Sequence, residues 1–404
     1  MSACLPLLVK RSTISLTSKA YRRLPKQSMP LSRTLQHSTS SNTPDAGSFT
    51  YRIAAASSPK RAPPRPPKPG QDYWNYASTH ENPSPPYLRS TKKDSGEDAF
   101  FATTIGGSQH HVAFGVADGV GGWQDQGVDP SEYSQALCGL MAGTANIYED
   151  IEAAAPCKAQ PLLQRAYDAV MANPRIAAGG CTASLGVADK TGNVETANLG
   201  DSGYLIFAPG RVAHRSASQT HAFNTPYQMS KVPPKMQAQY AIFGGATYFS
   251  ETPEDADVSH HQLKHGDIVL FATDGVWDNL SVQDTLEIVQ RIMEEGGYWS
   301  QSRDAPGAET KVNSTLIRSM PRKIEGSIQE SFLPGQIAAA VMREAKIAGL
   351  DRRRDGPFAK EVKQHYPHEG WEGGKPDDIA VVVCIAVQEN GSYMNEERPI
   401  KAKL

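Results

Sequence analysis

The chain has 404 residues, 39% of them hydrophobic and 21% charged, enough apolar material for a packed core and too much for a wholly disordered chain. Its formal net charge of -2 hides a basic head, with 15 Lys/Arg against Asp45, Asp72 and Glu81 in residues 1–93, and an acidic body, with 26 Lys/Arg against 40 Asp/Glu in residues 94–404. An acidic body argues against a nucleic-acid surface, which needs cations to meet phosphates, and is compatible with a carboxylate-rich site for cations.

Cys4, Cys138, Cys157, Cys181 and Cys384 are odd in number and contain no CxxC pair, which points to a reducing compartment and free thiols. No run approaches the roughly 18–20 apolar residues of a membrane-spanning helix. Residues 1–44 contain Lys10, Arg11, Lys19, Arg22, Arg23, Lys26 and Arg33, abundant Ser and Thr, and no acid. That is the composition of an organellar transit peptide, and mitochondrial import to the matrix is expected. A secretory signal would need a longer apolar run than Leu5 to Val9, and the remaining alternative is a plain basic tail. Residues 45–87 read as a Pro-rich basic linker, with Pro59 to Pro69 in an extended polyproline form. A folded domain is expected over 88–390 and a C-terminal tail over 391–404.

Within that domain strands alternate with helices. Val112, Phe114 and Val116 mark a buried strand that ends at Asp118. A helix follows, with Asp129 as N-cap, Pro130 at its first position and Glu132 at the capping-box position. Tyr133, Ala136, Leu137, Leu140, Met141, Ile147 and Tyr148 fall on one face of it. Strand-like runs recur at 182–188, 194–199, 203–208, 267–273 and 379–387. A second helix begins at Ser281, with Val282, Leu286, Val289 and Met293 on one face, and a third spans about 335–348. The polar stretches 295–330 and 351–375 are unpatterned and read as surface insertions.

Five acidic segments stand out: Gly96-Glu97-Asp98-Ala99, Asp118-Gly119-Val120-Gly121-Gly122, Gly200-Asp201-Ser202-Gly203, Asp274-Gly275-Val276-Trp277-Asp278 and Lys375-Pro376-Asp377-Asp378. The second and fourth each close an apolar strand with Asp-Gly. A carboxylate at a strand end leaves the core for the rim, and the glycine frees the neighbouring backbone carbonyl. One Asp-Gly alone is more often an ordinary turn. Several carboxylates gathered together would repel one another without a hard divalent cation such as Mg²⁺ or Mn²⁺.

The ordered series Glu-Asp-Ala, Asp-Gly-x-Gly-Gly, Gly-Gly-x-Thr-Ala, Gly-Asp-Ser, Ala-Thr-Asp-Gly-x-x-Asp and Asp-Asp, spread over about residues 88–390, resembles the PPM (type 2C) metal-dependent protein serine/threonine phosphatases, and the basic head resembles their mitochondrial branch. The resemblance implies an α+β fold, a four-layer α/β/β/α sandwich of two antiparallel sheets flanked by helices, with two Mg²⁺ or Mn²⁺ between the sheets and a third, weaker ion. Motif by motif it implies that Asp118 bridges both ions, that Glu97 and the Gly119 carbonyl hold one, and that Asp274 and Asp377 hold the other. Asp98 would support the centre through water, and Asp201 matches the third-ion position. A water activated between the ions would then attack phosphorus in line without a covalent phosphoenzyme. The implied partners are phosphorylated proteins of the mitochondrial matrix.

Three positions depart from the family pattern. Val120 stands where many members have His, so the proton for the leaving alkoxide must come from elsewhere. Lys93 stands where a phosphate-binding Arg is usual, and offers a point charge in place of a planar fork. Gly203 replaces a common Arg. The rival reading is a non-catalytic member that keeps the fold as a binding or regulatory module. Retention of Glu97, Asp118, Asp274 and Asp377 favours the enzyme. A trypsin-like protease is disfavoured because Tyr204 follows Gly200-Asp201-Ser202-Gly203, and a cysteine phosphatase because no Cys has Arg six residues on.

Overall fold

The computed structural model describes residues 48–64, 72–77, 87–148, 156–243, 249–301, 309–316, 320 and 332–389. The transit segment 1–44 and the tail 391–404 lie outside the described residues, as do parts of the linker and of the 295–330 stretch.

Two six-stranded antiparallel sheets face each other. In the first, the strands run Arg211–Arg215, Gly203–Ala208, Ile268–Ala272, Ile379–Glu389, Ser48–Ser58 and Trp74–Ala77. In the second, they run Asp257–Gln262, Asn193–Leu199, Ala183–Ala188, Ser108–Ala117, Ala99–Ile105 and Tyr87–Arg89. The near-continuous apolar runs of the central strands follow from burial on both faces. Along Ile379–Glu389, Val382 and Cys384 enter the layer between the sheets, while Val381, Val383 and Ile385 face the helices. Phe114 meets Phe271 edge-on across the inter-sheet layer, with ring centroids 5.5 Å apart.

Helices Val282–Glu295 and Leu333–Leu350 cover the outside of the first sheet, and Pro130–Asn146 and Ala159–Ala172 cover the second. The four-layer sandwich expected from the motif series is therefore present. The Val282–Glu295 helix starts in a reciprocal capping box between Ser281 and Asp284. The helix after Asp118 starts with Asp129 accepting from the Ser131 amide, and it ends before Ile147, which is 75% exposed and not on the buried face.

Three expectations need correction, and one helix is additional to them. The folded domain does not start at residue 88. Ser48–Ser58 pairs along its whole length with Ile379–Glu389, in register from Ser48↔Glu389 to Ser58↔Ile379, and lies inside the first sheet. Its Ala54-Ala55-Ala56 run carries little apolar signal, and the adjoining proline tract disguises it. The 351–375 stretch contains the helix Pro357–His365, whose Phe358, Ala359 and Val362 are buried. In the 295–330 stretch, Trp299–Gln301 pairs with Thr310–Val312 and Trp299 is 2% exposed. The Ala159–Ala172 helix was not anticipated, although Leu162, Leu163, Ala166 and Val170 recur on its buried face.

One polar strap joins the sheets at their edge. The Tyr204 hydroxyl accepts from Thr196 Oγ1 at 2.8 Å and lies 2.9 Å from His261 Nε2, and His261 packs on His214 with centroids 4.3 Å apart. Burial, reinforced by His214 and His260, holds the His261 imidazolium down to about 4 from an ordinary 6.5. A pKa lowered on folding means the unfolded chain binds the proton more readily, so this stabilisation is complete above pH 6.5 and is lost as pH falls toward 4. The melting temperature is expected to drop over that window. His261→Gln should flatten the drop in a thermal-shift series, and an unchanged slope would refute the assignment.

Candidate metal centre

Antiparallel register brings six chain segments to one rim of the sandwich. Ala99 pairs with Ala117, Ala183 with Leu199, Ala272 with Val381 and Ser58 with Ile379. Each pair stands at the end of its ladder, so the residues just beyond meet. Glu97, Asp118, Gly119, Asp201, Asp274 and Asp377 line one cleft, together with Lys60, Lys375, Asn224 and Asp378. Asp98 lies directly beneath, 1% exposed, its carboxylate accepting from Thr273 Oγ1 at 2.7 Å.

Glycines set the spacing. A Cβ on Gly119 would stand 2.6 Å from the Glu97 carbonyl oxygen, and one on Gly275 would stand 2.1 Å from the Asp378 carbonyl oxygen. Each Asp-Gly thus lets one motif press its backbone onto another. The Gly119 amide donates to the Glu97 carbonyl at 3.2 Å, and the Glu97 amide donates to Asp378 Oδ2 at 2.9 Å. The Asp118 amide donates to Thr182 Oγ1 at 3.1 Å, and Thr182 lies 2.8 Å from Ser202 Oγ.

Packing this many acids together is electrostatically costly. Burial, then repulsion from Asp274 and Asp98, pushes the Asp118 carboxyl well above the usual range. Burial and Asp378 do the same to Asp98, and burial and Asp274 bring Asp201 up to about 7. Glu97 and Asp377 are raised for similar reasons. Asp274 goes the other way: burial is the largest influence and raises it, but the Lys375 ammonium together with hydrogen bonds from Asp118, Lys375 and Asp278 brings it below the usual range. Among the described residues no three acids, histidines or cysteines close into a tight ligand shell, and an ammonium stands among the carboxylates. The donor set is hard oxygen throughout, with carboxylates from several segments and a backbone carbonyl at Gly119. Its upward-shifted acids are what divalent cations such as Mg²⁺ or Mn²⁺ relieve, so the residues fit such ions.

Lys93 is not brought to the site. It is exposed on the Lys92–Ser95 turn, outside the cleft lining, and its neighbour Lys92 pairs with Asp129. The cations in the cleft are Lys60, whose Nζ is 3.2 Å from Asp377, and Lys375. Lys60 is not legible in the sequence because it follows a strand whose alanine run and adjoining prolines read as linker. Its backbone is held from behind by the buried Lys346, whose Nζ donates to the carbonyls of Pro59 and Lys60 at 2.7 and 2.9 Å. Val120 lines the cleft and offers no proton. Gly203 is tightly packed, since a Cβ there would meet Ser216 Oγ at 2.5 Å. Trp123 is 3% exposed, and Trp277 donates to the Ala272 carbonyl at 2.8 Å, so both act as packing groups.

No protein-family model matches the chain. It is 33% identical over 290 residues to the protein phosphatase PTC7 homolog fig of Drosophila sechellia, across 71% of this chain and 76% of that protein. It is 32% identical over 296 residues to the protein phosphatase PTC7 homolog of Homo sapiens, across 72% and 80%. Among solved structures, the photosystem II phosphatase PBCP superposes with a TM-score of 0.51 at 24% identity, over 72% of this chain and 92% of that one, and shares the fold. With this fold, an acid-lined rim and relatives that match over most of its length, the chain belongs to the PTC7 branch of the PPM protein phosphatases.

Proposed function

We propose that the chain hydrolyses phosphoserine and phosphothreonine on proteins at the Asp118 cleft, with two divalent cations, Mg²⁺ or Mn²⁺, and no covalent phosphoenzyme. The observation that carries this reading is the convergence of Glu97, Asp118, Asp201, Asp274 and Asp377 from separate strand ends on one cleft. When bound, such cations acidify water and screen the phosphate dianion. Asp118, which shares the cleft with the other acids, would serve both cations. Glu97 and the Gly119 carbonyl would hold one, Asp274 and Asp377 the other, and Asp201 a third and weaker one. Asp98, fixed by Thr273, orients the centre from below. Cys138, Cys181 and Cys384 are buried, with thiols pushed up by burial, which supports a reaction without a cysteine nucleophile.

Lys60, not Lys93, is assigned to orient the incoming phosphate. Lys60→Ala is expected to raise KM several-fold with a smaller fall in kcat, and Lys93→Ala to leave both near wild type. The reverse pattern in steady-state assays would return the role to Lys93. For the reaction itself, chelator-treated full-length protein should release phosphate from a phosphothreonine peptide only when Mn²⁺ or Mg²⁺ is restored. Metal-independent release would sink the reading.

The acid-free, Arg- and Ser-rich residues 1–44 support residence in the mitochondrial matrix, with phosphorylated matrix enzymes as substrates. Residues 1–44 fused to a fluorescent reporter should carry it into mitochondria, and a diffuse cytosolic signal would end this part of the proposal.

A further inference from the structure

We propose that Lys375 is a built-in competitor for the second cation, so that the Asp274–Asp377 half of the centre takes up its divalent ion only by displacing or sharing an ammonium. The inference rests on the two-cation reading of this cleft. Lys375 Nζ lies 2.7 Å from Asp274 Oδ2, 2.6 Å from Asp278 Oδ2 and 3.3 Å from Asp377 Oδ2. It thereby engages both acids assigned to that cation. The Lys375 side chain is only 15% exposed, unlike the 53% of Lys60.

The position of Lys375 is built by the surrounding chain. Asn279, itself 1% exposed, accepts from the Lys375 amide at 2.9 Å and donates to the Lys375 carbonyl at 2.8 Å and the Gly275 carbonyl at 2.9 Å. One side-chain amide therefore ties the backbone of Lys375 to the turn that carries Asp274. Phe358 lies under the ammonium at 5.1 Å, and Asn224 Oδ1 approaches it at 3.3 Å. Asn224, at φ 50°, is the one non-glycine residue with positive φ among the described residues, a conformation that asparagine adopts readily.

The two halves of the centre are therefore unequal. Among the described residues the cation acting on the Glu97–Gly119 half is the more exposed Lys60, and Gln124 is the side chain that donates to Glu97. Divalent-ion affinity should be high on that side and low on the Asp274 side. An ammonium and a divalent cation a few ångströms apart in a partly buried site repel strongly enough to cost about tenfold or more in affinity.

The test is calorimetric titration of Mn²⁺ into chelator-treated full-length protein, for wild type, Lys375→Met, Lys375→Arg and Asp118→Asn. Wild type should show one tight site, a weak site at the Asp274 half and a still weaker third at Asp201. Lys375→Met should tighten the weak site by about tenfold or more, and Lys375→Arg, which keeps the charge, should not. In thermal melts Lys375→Met should be less stable than wild type in chelator and gain more from Mn²⁺. If Lys375→Met does not fold, Lys375→Gln takes its place. Unchanged or weaker Mn²⁺ binding in the neutral variant, while Asp118→Asn abolishes binding, would overturn the role of Lys375 alone. Undiminished binding in Asp118→Asn would instead overturn the two-cation reading beneath it.

Discussion

Asp118→Asn is expected to lower turnover by roughly a thousandfold or more, about 4 kcal/mol of transition-state stabilisation. Even outer contacts in metal sites are commonly worth about 10–100-fold, and Asp118 is assigned as the ligand of both cations. Misfolding can be told apart from lost chemistry by the sign of the stability change. Asp118 is raised well above the usual carboxylate range by burial and by Asp274 and Asp98. In the absence of divalent ions its charge is therefore a burden on the folded state. A group raised on folding contributes stability that is complete below its unfolded pKa and is lost as pH climbs through the folded one. Asparagine never carries the charge. The variant should be inactive yet melt at or above the wild-type temperature in chelator at neutral pH, and it should lose the stabilisation that Mn²⁺ gives the wild type. Full turnover in Asp118→Asn would remove the two-cation assignment. A collapsed melting temperature in chelator would show that Asp118 holds the fold.

The acid residues of the site were legible because chemistry and topology leave the same mark. A carboxylate wanted at a rim must follow or precede an apolar strand, and each of Asp98, Asp118, Asp274 and Asp377 lies next to one. The cations were not legible. Lys375 was visible beside Asp377, but nothing in the spacing shows that Asn279, 96 residues away, turns its ammonium inward. Lys60 is hidden because the strand before it reads as linker, for a physical reason. Strand patterning is read from alternation or from bulky apolar runs, and Ser48–Ser58 has neither through its alanine stretch. Alanine is wanted there because Ala54 and Ala56 lie under the helices and Ala55 between the sheets. Lys93 failed for the opposite reason. A motif offset places a residue along the chain, but the short turn Lys92–Ser95 points its lysines to solvent, where Lys92 meets Asp129.

Gly275→Ala is expected to disable the enzyme without touching any ionisable group. The sequence suggests that glycine follows Asp274 to free a carbonyl for a ligand, but the structure gives a stricter reason. A methyl group at this position would stand 2.1 Å from the Asp378 carbonyl oxygen and 3.0 Å from Ile379 Cγ1. The first clash is with backbone, which has no rotamer to escape into. The obstruction falls between the turn that carries Asp274 and the segment that carries Asp377, and these are the two acids assigned to one cation. Relief requires the segments to part, while Thr273 and Ala380 resist through the amide of Thr273 donating to the Ala380 carbonyl at 3.1 Å and the amide of Ala380 donating to Thr273 Oγ1 at 2.9 Å. Overpacking of this kind costs about 1–3 kcal/mol in stability. Activity should suffer more, because a displacement of about 1 Å in positioned groups can cost roughly a hundredfold in rate. The expected result is a variant that still folds, melts several degrees lower, binds Mn²⁺ more weakly on the Asp274 side and turns over at about a hundredth of the wild-type rate. Gly122→Ala is the control, because a methyl group there meets nothing within 4 Å. It should behave as wild type in both assays. Equal behaviour of the two variants would show that close approach of the backbones does not hold the acid pair in place.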